Sequence, residues 1–321
     1  GSQTVGRYLD EWLRDAVEPF KSRRTYEKRA WAVGLHIKPA LGGVRLRDLD
    51  ARRVQALYAS MARIGYSYST RREIHVTLKM ALQQALKWGL VRRNACEMAD
   101  APRDLGPPAE DEVRHLTDAR ARHFFRASEA AGSRWRNYYV AAIRTGLRPG
   151  EMLGLRWGDL DGDPGSLRVR RTLDAHREAV FNPPKTARSR RAVALHREAK
   201  GAFLSQRAML RREGLPAGQK DLVFPSSSGT PMKSDNLRKR NLKPDLARAG
   251  LPELTLHELR HTFASIMLHE WHVPPAVVSE AMGHADIAFT FRIYGHLVES
   301  VQADVMRRLN ADQARPEGNL E

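Results

Sequence analysis

The sequence reads T-L-H-E-L-R-H-T-F-A-S at residues 255–265 and A-M-G-H-A-D-I-A-F-T-F-R-I-Y-G-H at residues 281–296, and the rest of the chain is organised around these two stretches. Thr255 and Glu258 have the spacing of a capping box, in which a hydroxyl caps a helix and a carboxylate three residues later reaches back to the cap. The box predicts a helix with His257 in its first turn and Arg260 one turn later, on roughly the same face.

A second helix is predicted to begin near Pro275 and to end at Gly283, because glycine tolerates the left-handed conformation that follows a helix. His284 then lies just past that end. Asp286 can cap a further helix, and Tyr294 falls about two turns into it.

Two histidines, an arginine and a tyrosine without a nearby carboxylate cluster favour an anion site. A metal site is a poorer interpretation, since the spacings do not match those of zinc ligands. The planar guanidinium group fits two phosphate oxygens, and histidine can donate hydrogen bonds or move protons. Tyrosine has a free pKa of about 10, so it attacks as a nucleophile only if its proton is removed or its anion is stabilised.

The order H-E-L-R-H, then G-H, then Y-G-H resembles the C-terminal signature of the tyrosine recombinase (phage integrase) family. That family also has an arginine in a T-G-x-R-x-x-E motif and a lysine on a β-hairpin. This chain has T-G-L-R-P-G-E, with Arg148 and Glu151, and P-K-T, with Lys185. One departure is Glu258, where the family more often has aspartate, and the change is conservative. The resemblance covers nearly the whole chain, and its motifs are specific as a set.

The resemblance implies a mostly α fold with a small antiparallel β-sheet. An N-terminal four-helix core-binding (SAM-like) DNA-binding domain is expected at residues 1–105 and a linker at 106–114. A C-terminal α+β tyrosine recombinase catalytic domain is expected at 115–321.

The resemblance also implies DNA strand breaking and rejoining through a 3′-phosphotyrosine intermediate, independent of metal and ATP, that integrates or excises a phage or mobile element. Tyr294 would be the nucleophile, Lys185 the general acid, and the arginines the ligands of the scissile phosphate. The implied catalytic set is Arg148, Lys185, His257, Arg260, His284 and Tyr294, supported by Glu151 and His261. Without the family, the alternative interpretation of Arg148 and Glu151 is an i, i+3 ion pair on a helix surface. No cofactor and no metal are expected.

The expected partner is double-stranded DNA at attachment sites, bound by a homo-tetramer in a synaptic complex. A recombination directionality factor or a host DNA-bending protein is left open as an accessory partner. A membrane is not expected, because no apolar run approaches the ~18 residues of a spanning helix. The expected location is the cytoplasm, in association with the nucleoid.

The composition agrees with a polyanionic partner. The 321 residues include 54 Lys and Arg against 37 Asp and Glu, a formal net charge of +17. One cysteine, Cys96, excludes an internal disulfide and fits a reducing compartment. Gly1 and Ser2 have the appearance of a tag remnant, so a further arm-binding domain ahead of Gly1 is left open.

Hydrophobic periodicity predicts helices at residues 4–20 and 22–36, a turn at Pro39–Gly43, and a helix capped by Asp50. Thr70 and Glu73 predict a second capping box, whose helix would end at Gly89. Arg71 and Arg72 lie near that helix N-terminus, where phosphate binding and simple capping are both open interpretations. Prolines and glycine after residue 101 predict the linker.

In the second half, residues 167–173 and 191–195 alternate like strands, with Lys185 on the hairpin between them. Arg188, Arg190 and Arg191 are expected to be generic phosphate contacts. Residues 196–212 predict a helix, and Ser234 is expected to cap another. That helix carries Arg238, Lys239 and Arg240, which either read DNA in the major groove or form a solvated face.

Two alternatives stay open. A type IB topoisomerase has a similar site, but the separate N-terminal helical domain and the G-H and Y-G-H spacing favour a recombinase. A non-catalytic DNA-binding protein is the other alternative, and the occupation of every motif position argues against it.

Overall fold

The structure, a computed structural model, describes residues 3–104, 114–160, 165–174, 180–183 and 190–283. Contacts divide the chain into two compact units, Gly1–Ala109 and Glu110–Glu321. Among the described residues, none of the helices has the combination of length and hydrophobicity that a membrane-spanning segment needs.

The first unit is built from four helical rods in residues 3–104. A π-turn extends the first rod from α1 through Val17, and a second π-turn joins α2 to α3 into one rod. The helices are α1 (Val5–Trp12), α2 (Arg23–Ala32), α3 (Lys38–Leu41), α4 (Ala51–Arg63) and α5 (Tyr68–Lys87).

The core of this unit is formed by the apolar stripes that the sequence predicts. In α1, Val5, Tyr8, Leu9 and Trp12 are buried at helical spacing. The hydroxyl of Tyr8 donates to the carbonyl of Ala81 at 2.5 Å, which ties α1 to α5 and satisfies the buried phenol.

Two local predictions in this unit are wrong. The expected turn at Pro39–Gly43 is helical as far as Leu41, because the proline lies in the first turn after a π-turn, where its missing N–H costs little. The expected capping box at Thr70 and Glu73 does not form. Ser67 caps α5 instead, and Glu73 accepts from Arg29 at 2.6 Å.

The second unit surrounds a central helix, α7, whose residues 137–145 are all buried. It packs against α9 and α12, and such burial on all sides is typical of a core helix. The helices are α6 (Asp118–Ala130), α7 (Arg136–Thr145), α8 (Pro149–Leu153), α9 (Arg197–Arg212), α10 (Ser234–Leu237), α11 (Lys243–Arg248), α12 (Leu256–Ser265) and α13 (Pro275–Met282).

The described strands form two small antiparallel pairs. One pair joins β1 (Ser166–Arg168) to β4 (Ala192–Ala194), and the other joins β2 (Thr172–Leu173) to β3 (Phe181–Asn182). The single strand predicted at 167–173 is therefore interrupted after Arg168. Arg171 leaves the ladder and forms an ion pair with the buried Asp159.

The basic helix expected after Ser234 is present as α10, a π-turn at Arg238–Leu242 and α11. Its N-cap is Lys233, and Ser234 is its first residue, so the predicted cap is wrong by one position. Pro244 lies in the first turn after the π-turn, the same arrangement as Pro39.

Candidate active site

Helix α12 begins where the sequence predicts. The amide of Glu258 donates to Oγ1 of Thr255 at 3.2 Å, and the amide of Thr255 donates to Oε2 of Glu258 at 2.5 Å. This reciprocal capping box satisfies two amides that the helix leaves free. It fixes the start of the helix, and therefore the positions of His257 and Arg260.

Arg260 is buried, with 2% of its surface exposed. Its Nη1 donates to the carbonyl of Gly146 at 2.7 Å, and its Nη2 donates to the carbonyl of Met282 at 2.7 Å. Gly146 ends α7 with a φ of +64°, and Met282 is the last residue of α13. One guanidinium group therefore joins α12 to the ends of two other helices.

Arg148 lies at the N-cap of α8, three residues after Thr145, the last residue of α7. Its amide donates to Oε2 of Glu151 at 2.9 Å and its Nη1 donates to Oε1 at 3.0 Å. Its Nη2 donates to the carbonyl of Gly283 at 3.0 Å. The side chain is 36% exposed, so it is held on one side and accessible on the other.

Glu151 is buried between Arg148 and Arg191. Nη1 and Nη2 of Arg191 reach its two carboxylate oxygens at 3.2 and 3.1 Å. Burial alone would raise the pKa of Glu151, but the hydrogen bond and charge of Arg191, and then those of Arg148, lower it below its usual value. The carboxylate is therefore charged at neutral pH.

Three arginines thus converge on the end of α13. Arg191, Arg260 and Arg148 donate to the carbonyls of residues 281, 282 and 283, in that order. The last carbonyls of a helix have no partner within it and carry partial negative charge, so cations are favoured there. This arrangement fixes the main chain immediately before residue 284.

His257 and His261 lie one turn apart on α12, with ring centroids 5.0 Å apart. Desolvation, and then the charges of Arg260 and Arg148, lower the pKa of His257. Burial, followed by His257, Arg260 and His115, lowers the pKa of His261 to about 4. Both rings are therefore neutral at pH 7, and a neutral imidazole can accept a proton.

Comparison with known proteins identifies this arrangement. Residues 109–300, more than half of the chain, match the phage integrase family. The chain belongs to that family. It is therefore a site-specific DNA recombinase, and the predicted activity is confirmed.

Individual relatives of this recombinase agree. It is 28% identical over 327 residues to a tyrosine recombinase XerC-like protein of Caldanaerobacter subterraneus, covering 96% of this chain and 83% of the relative. Its fold matches the Tn1549 transposon integrase bound to transposon right end DNA, with a TM-score of 0.79, 23% identity and coverage of 95% and 99%. It also matches a lambda integrase tetramer bound to a Holliday junction, with a TM-score of 0.67, 19% identity and coverage of 91% and 78%. The predicted fold class is confirmed.

The structure of the recombinase brings part of the predicted catalytic set together. Arg148, Glu151, His257, Arg260 and His261 surround the ends of α7 and α13. Lys185, Arg188, His284 and Tyr294 lie outside the described residues.

Sequence reasoning misplaced one residue of this site. Arg191 was expected to be a phosphate contact, but its side chain is only 7% exposed and points inward. The signal was present in the sequence, because residues two apart on a strand share a face. Val193 of β4 is buried, and Arg191 precedes it by two residues.

The predicted DNA contacts differ in accessibility. Arg72, Arg190, Lys239 and Arg240 are exposed, and Arg71 is partly buried. Arg238 is partly buried too, and its Nη1 lies 3.3 Å from Oε1 of Glu253, which also binds Lys243 at 2.7 Å. The exposed members are therefore the better candidates for phosphate.

Proposed function

We propose that this recombinase cuts and rejoins DNA through a 3′-phosphotyrosine intermediate on Tyr294, and that it integrates or excises a phage or mobile element. The observation that carries the proposal is the anchoring of residues 281–283 by Arg191, Arg260 and Arg148. This anchoring holds the side chain of Arg148 in one place, where it can bind a phosphate oxygen, and it fixes the main chain that leads into His284.

The arginines supply the charge that the reaction needs. Negative charge grows on the non-bridging oxygens of the phosphate in the transition state, and fixed donors that meet it usually give the largest part of catalysis. Arg148 has an accessible side and can contact an oxygen directly. Arg260 adds a second positive charge from its buried position.

Side chains of this chain can supply the nucleophile, the general base and the general acid of the cleavage step. The phenol oxygen of Tyr294 attacks phosphorus, and the bond from phosphorus to the 5′-oxygen breaks. The neutral ring of His257 takes the phenol proton, and Lys185 gives a proton to the departing 5′-oxygen. His284 donates a hydrogen bond to the same phosphate.

Rejoining is the reverse reaction with a different strand. The 5′-hydroxyl of the partner duplex gives its proton to Lys185 and attacks the phosphotyrosine, the bond from tyrosine to phosphorus breaks, and the phenol regains its proton from His257. The covalent intermediate conserves the energy of the phosphodiester bond, so ATP is not required.

The proposed partner is double-stranded DNA, bound by four copies of this chain. The net charge of +17 supports a polyanionic partner, and the structures of the Tn1549 and lambda integrases that resemble this chain contain bound DNA. The lambda integrase tetramer on a Holliday junction supports the four-copy assembly. A directionality factor or host DNA-bending protein, and a location at the nucleoid, remain predictions.

A covalent trap tests this proposal. Protein is mixed, without metal or ATP, with nicked duplexes from its candidate attachment region and run on a denaturing gel. We expect an adduct with the parent and none with Tyr294→Phe. Tyr66→Phe is the matched control, because it removes a partly exposed phenol from the first unit. Tight, salt-sensitive DNA binding without any adduct would favour a non-catalytic binding protein, and complete relaxation of any supercoiled plasmid would favour a topoisomerase.

A further inference from the structure

Arg191 links the end of α13 to the carboxylate of Glu151 in α8. Its Nε donates to the carbonyl of Ala281 at 2.7 Å, while Nη1 and Nη2 form a fork with the two oxygens of Glu151 at 3.2 and 3.1 Å. The planar guanidinium group suits this task, because it presents several donors in a fixed geometry.

Glu151 transmits this restraint to Arg148. Its Oε2 accepts from the amide of Arg148 and its Oε1 accepts from Nη1 of the same residue. Fixing the carboxylate therefore fixes both the main chain and the side chain of Arg148.

The positive charge of Arg191 is a second reason to assign this residue a role in the site. Arg148 and Arg191 lie on either side of Glu151 in the described part of the chain, and two guanidinium groups with one carboxylate leave a net charge of +1. Without Arg191, Glu151 would neutralise Arg148, and this group of residues would offer no net charge to a phosphate.

We propose that Arg191 is a positioning residue of the recombination site, which holds Glu151 and the end of α13 and keeps the positive charge of Arg148 available to the scissile phosphate. The proposal rests on the function proposed above. It assigns to Arg191 no contact with DNA.

A purely structural ion pair is the competing explanation, and charge balance separates the two. If Arg191 serves only stability, Arg191→Gln lowers the free energy of unfolding and the double variant restores part of it, while the cleavage rate of the folded protein stays at the parent value in both. If it offsets the charge of Glu151, the double variant Glu151→Gln with Arg191→Gln returns the net charge to +1 and recovers activity. Arg148 keeps a neutral acceptor in that variant.

The experiment is single-turnover cleavage of nicked duplexes between pH 5 and 8. Arg191→Gln is expected to cut roughly 100-fold more slowly than the parent, the scale of a 1 Å misplacement, with DNA affinity within about twofold. The double variant is expected to be at least about tenfold faster than Arg191→Gln. Arg126→Gln, an exposed arginine of α6, controls for the loss of one charge and keeps the parent rate.

The pH profile gives an independent readout. Loss of Arg191 leaves Glu151 buried beside a single cation, so its pKa rises relative to the parent. The rate of Arg191→Gln is therefore expected to change with pH in a range where the parent rate is flat, and the double variant lacks this change. Arg191→Lys keeps the charge without the fork and is expected to be intermediate, which preserves the test if Arg191→Gln does not fold.

Failure of the role proposed for Arg191 and failure of the proposed function give different results. A double variant no faster than Arg191→Gln, with the same loss at every pH, would overturn the role of Arg191 and leave the proposed function intact. A parent without adduct would overturn the proposed function itself.

Discussion

Arg191 lies directly over Gly283: a Cβ atom on Gly283 would be 2.8 Å from Nη1 and 3.0 Å from Cζ of the guanidinium group. Gly283 also has a φ of +64°, a conformation that other L-residues avoid. The glycine therefore ends α13 and leaves room for the arginine that anchors it.

The cost of the left-handed conformation and the cost of displacing Arg191 can be measured separately, because Gly250 shares only the first of these with Gly283. Gly250 has the same φ of +64°, but a Cβ there would meet nothing within 4 Å. Gly250→Ala is expected to lower the free energy of unfolding by about 1 kcal/mol, the cost of the left-handed conformation. Gly283→Ala is expected to cost about 1–3 kcal/mol more because it displaces Arg191. Urea unfolding measures both, and equal costs would contradict the contact.

Replacement of Arg260 by lysine is expected to lower the stability of the protein more than replacement of Arg148 by lysine. Lysine cannot span the carbonyls of Gly146 and Met282, so Arg260→Lys loses a charged hydrogen bond and about 2 kcal/mol of stability. Arg148 is partly exposed, and Arg148→Lys is expected to cost less than about 1 kcal/mol. Both variants are expected to cleave about 100-fold more slowly. Unfolding curves and the covalent trap measure these effects, and equal stability losses would argue against the buried role of Arg260.

The histidines of α12 predict how stability depends on pH. The pKa of His261 is about 4 in the folded protein against about 6.5 when unfolded. As pH falls from about 6.5 to 4, the unfolded chain takes up a proton that the folded chain does not, so stability decreases and then levels off. The loss is on the order of 3 kcal/mol, and His257 adds to it in the same direction.

His261→Gln checks this assignment. Thermal unfolding between pH 4 and 7 is expected to show a smaller loss of stability in this variant than in the parent, since glutamine does not titrate. An unchanged pH dependence would show that other groups cause it.

The basic helix predicts a salt dependence of DNA binding. Each phosphate contact changes the slope of log affinity against log salt by about 0.9. Replacing the exposed Lys239 and Arg240 by glutamine is expected to reduce that slope by about 1–2, whereas Arg238→Gln changes it less because Arg238 pairs with Glu253. Gel shifts at several salt concentrations measure the slopes, and an unchanged slope in the double variant would place this helix away from DNA.

Local signals made the start of α12 and the end of α13 predictable. The capping box at Thr255 and Glu258 and the glycine at 283 act over three or four residues, so the sequence contains all the information. For Arg191, strand alternation indicates the inward face, but the partners of the side chain were not predictable because they lie 40 and 90 residues away.

Two wrong predictions, the cap of α5 and the continuous strand at 167–173, also arise from contacts with residues outside the local segment. Thr70 was expected to cap α5 because Glu73 follows it by three residues, the spacing of a capping box. Glu73 instead bonds Arg29, 44 residues earlier, and Ser67 becomes the cap. The strand at 167–173 likewise ends early because Arg171 pairs with Asp159 of a neighbouring turn.

The anchoring of α13 uses only main-chain oxygens as acceptors, at residues 281, 282 and 283. A main-chain oxygen cannot be removed by substitution, so these three bonds depend on the donor arginines and not on the side chains of residues 281 and 282. Met282 is held separately, by its burial in an apolar cluster. The bond immediately after Gly283 is consequently a natural junction for hybrid recombinases. A C-terminal segment from a relative could be joined there without rebuilding the anchor.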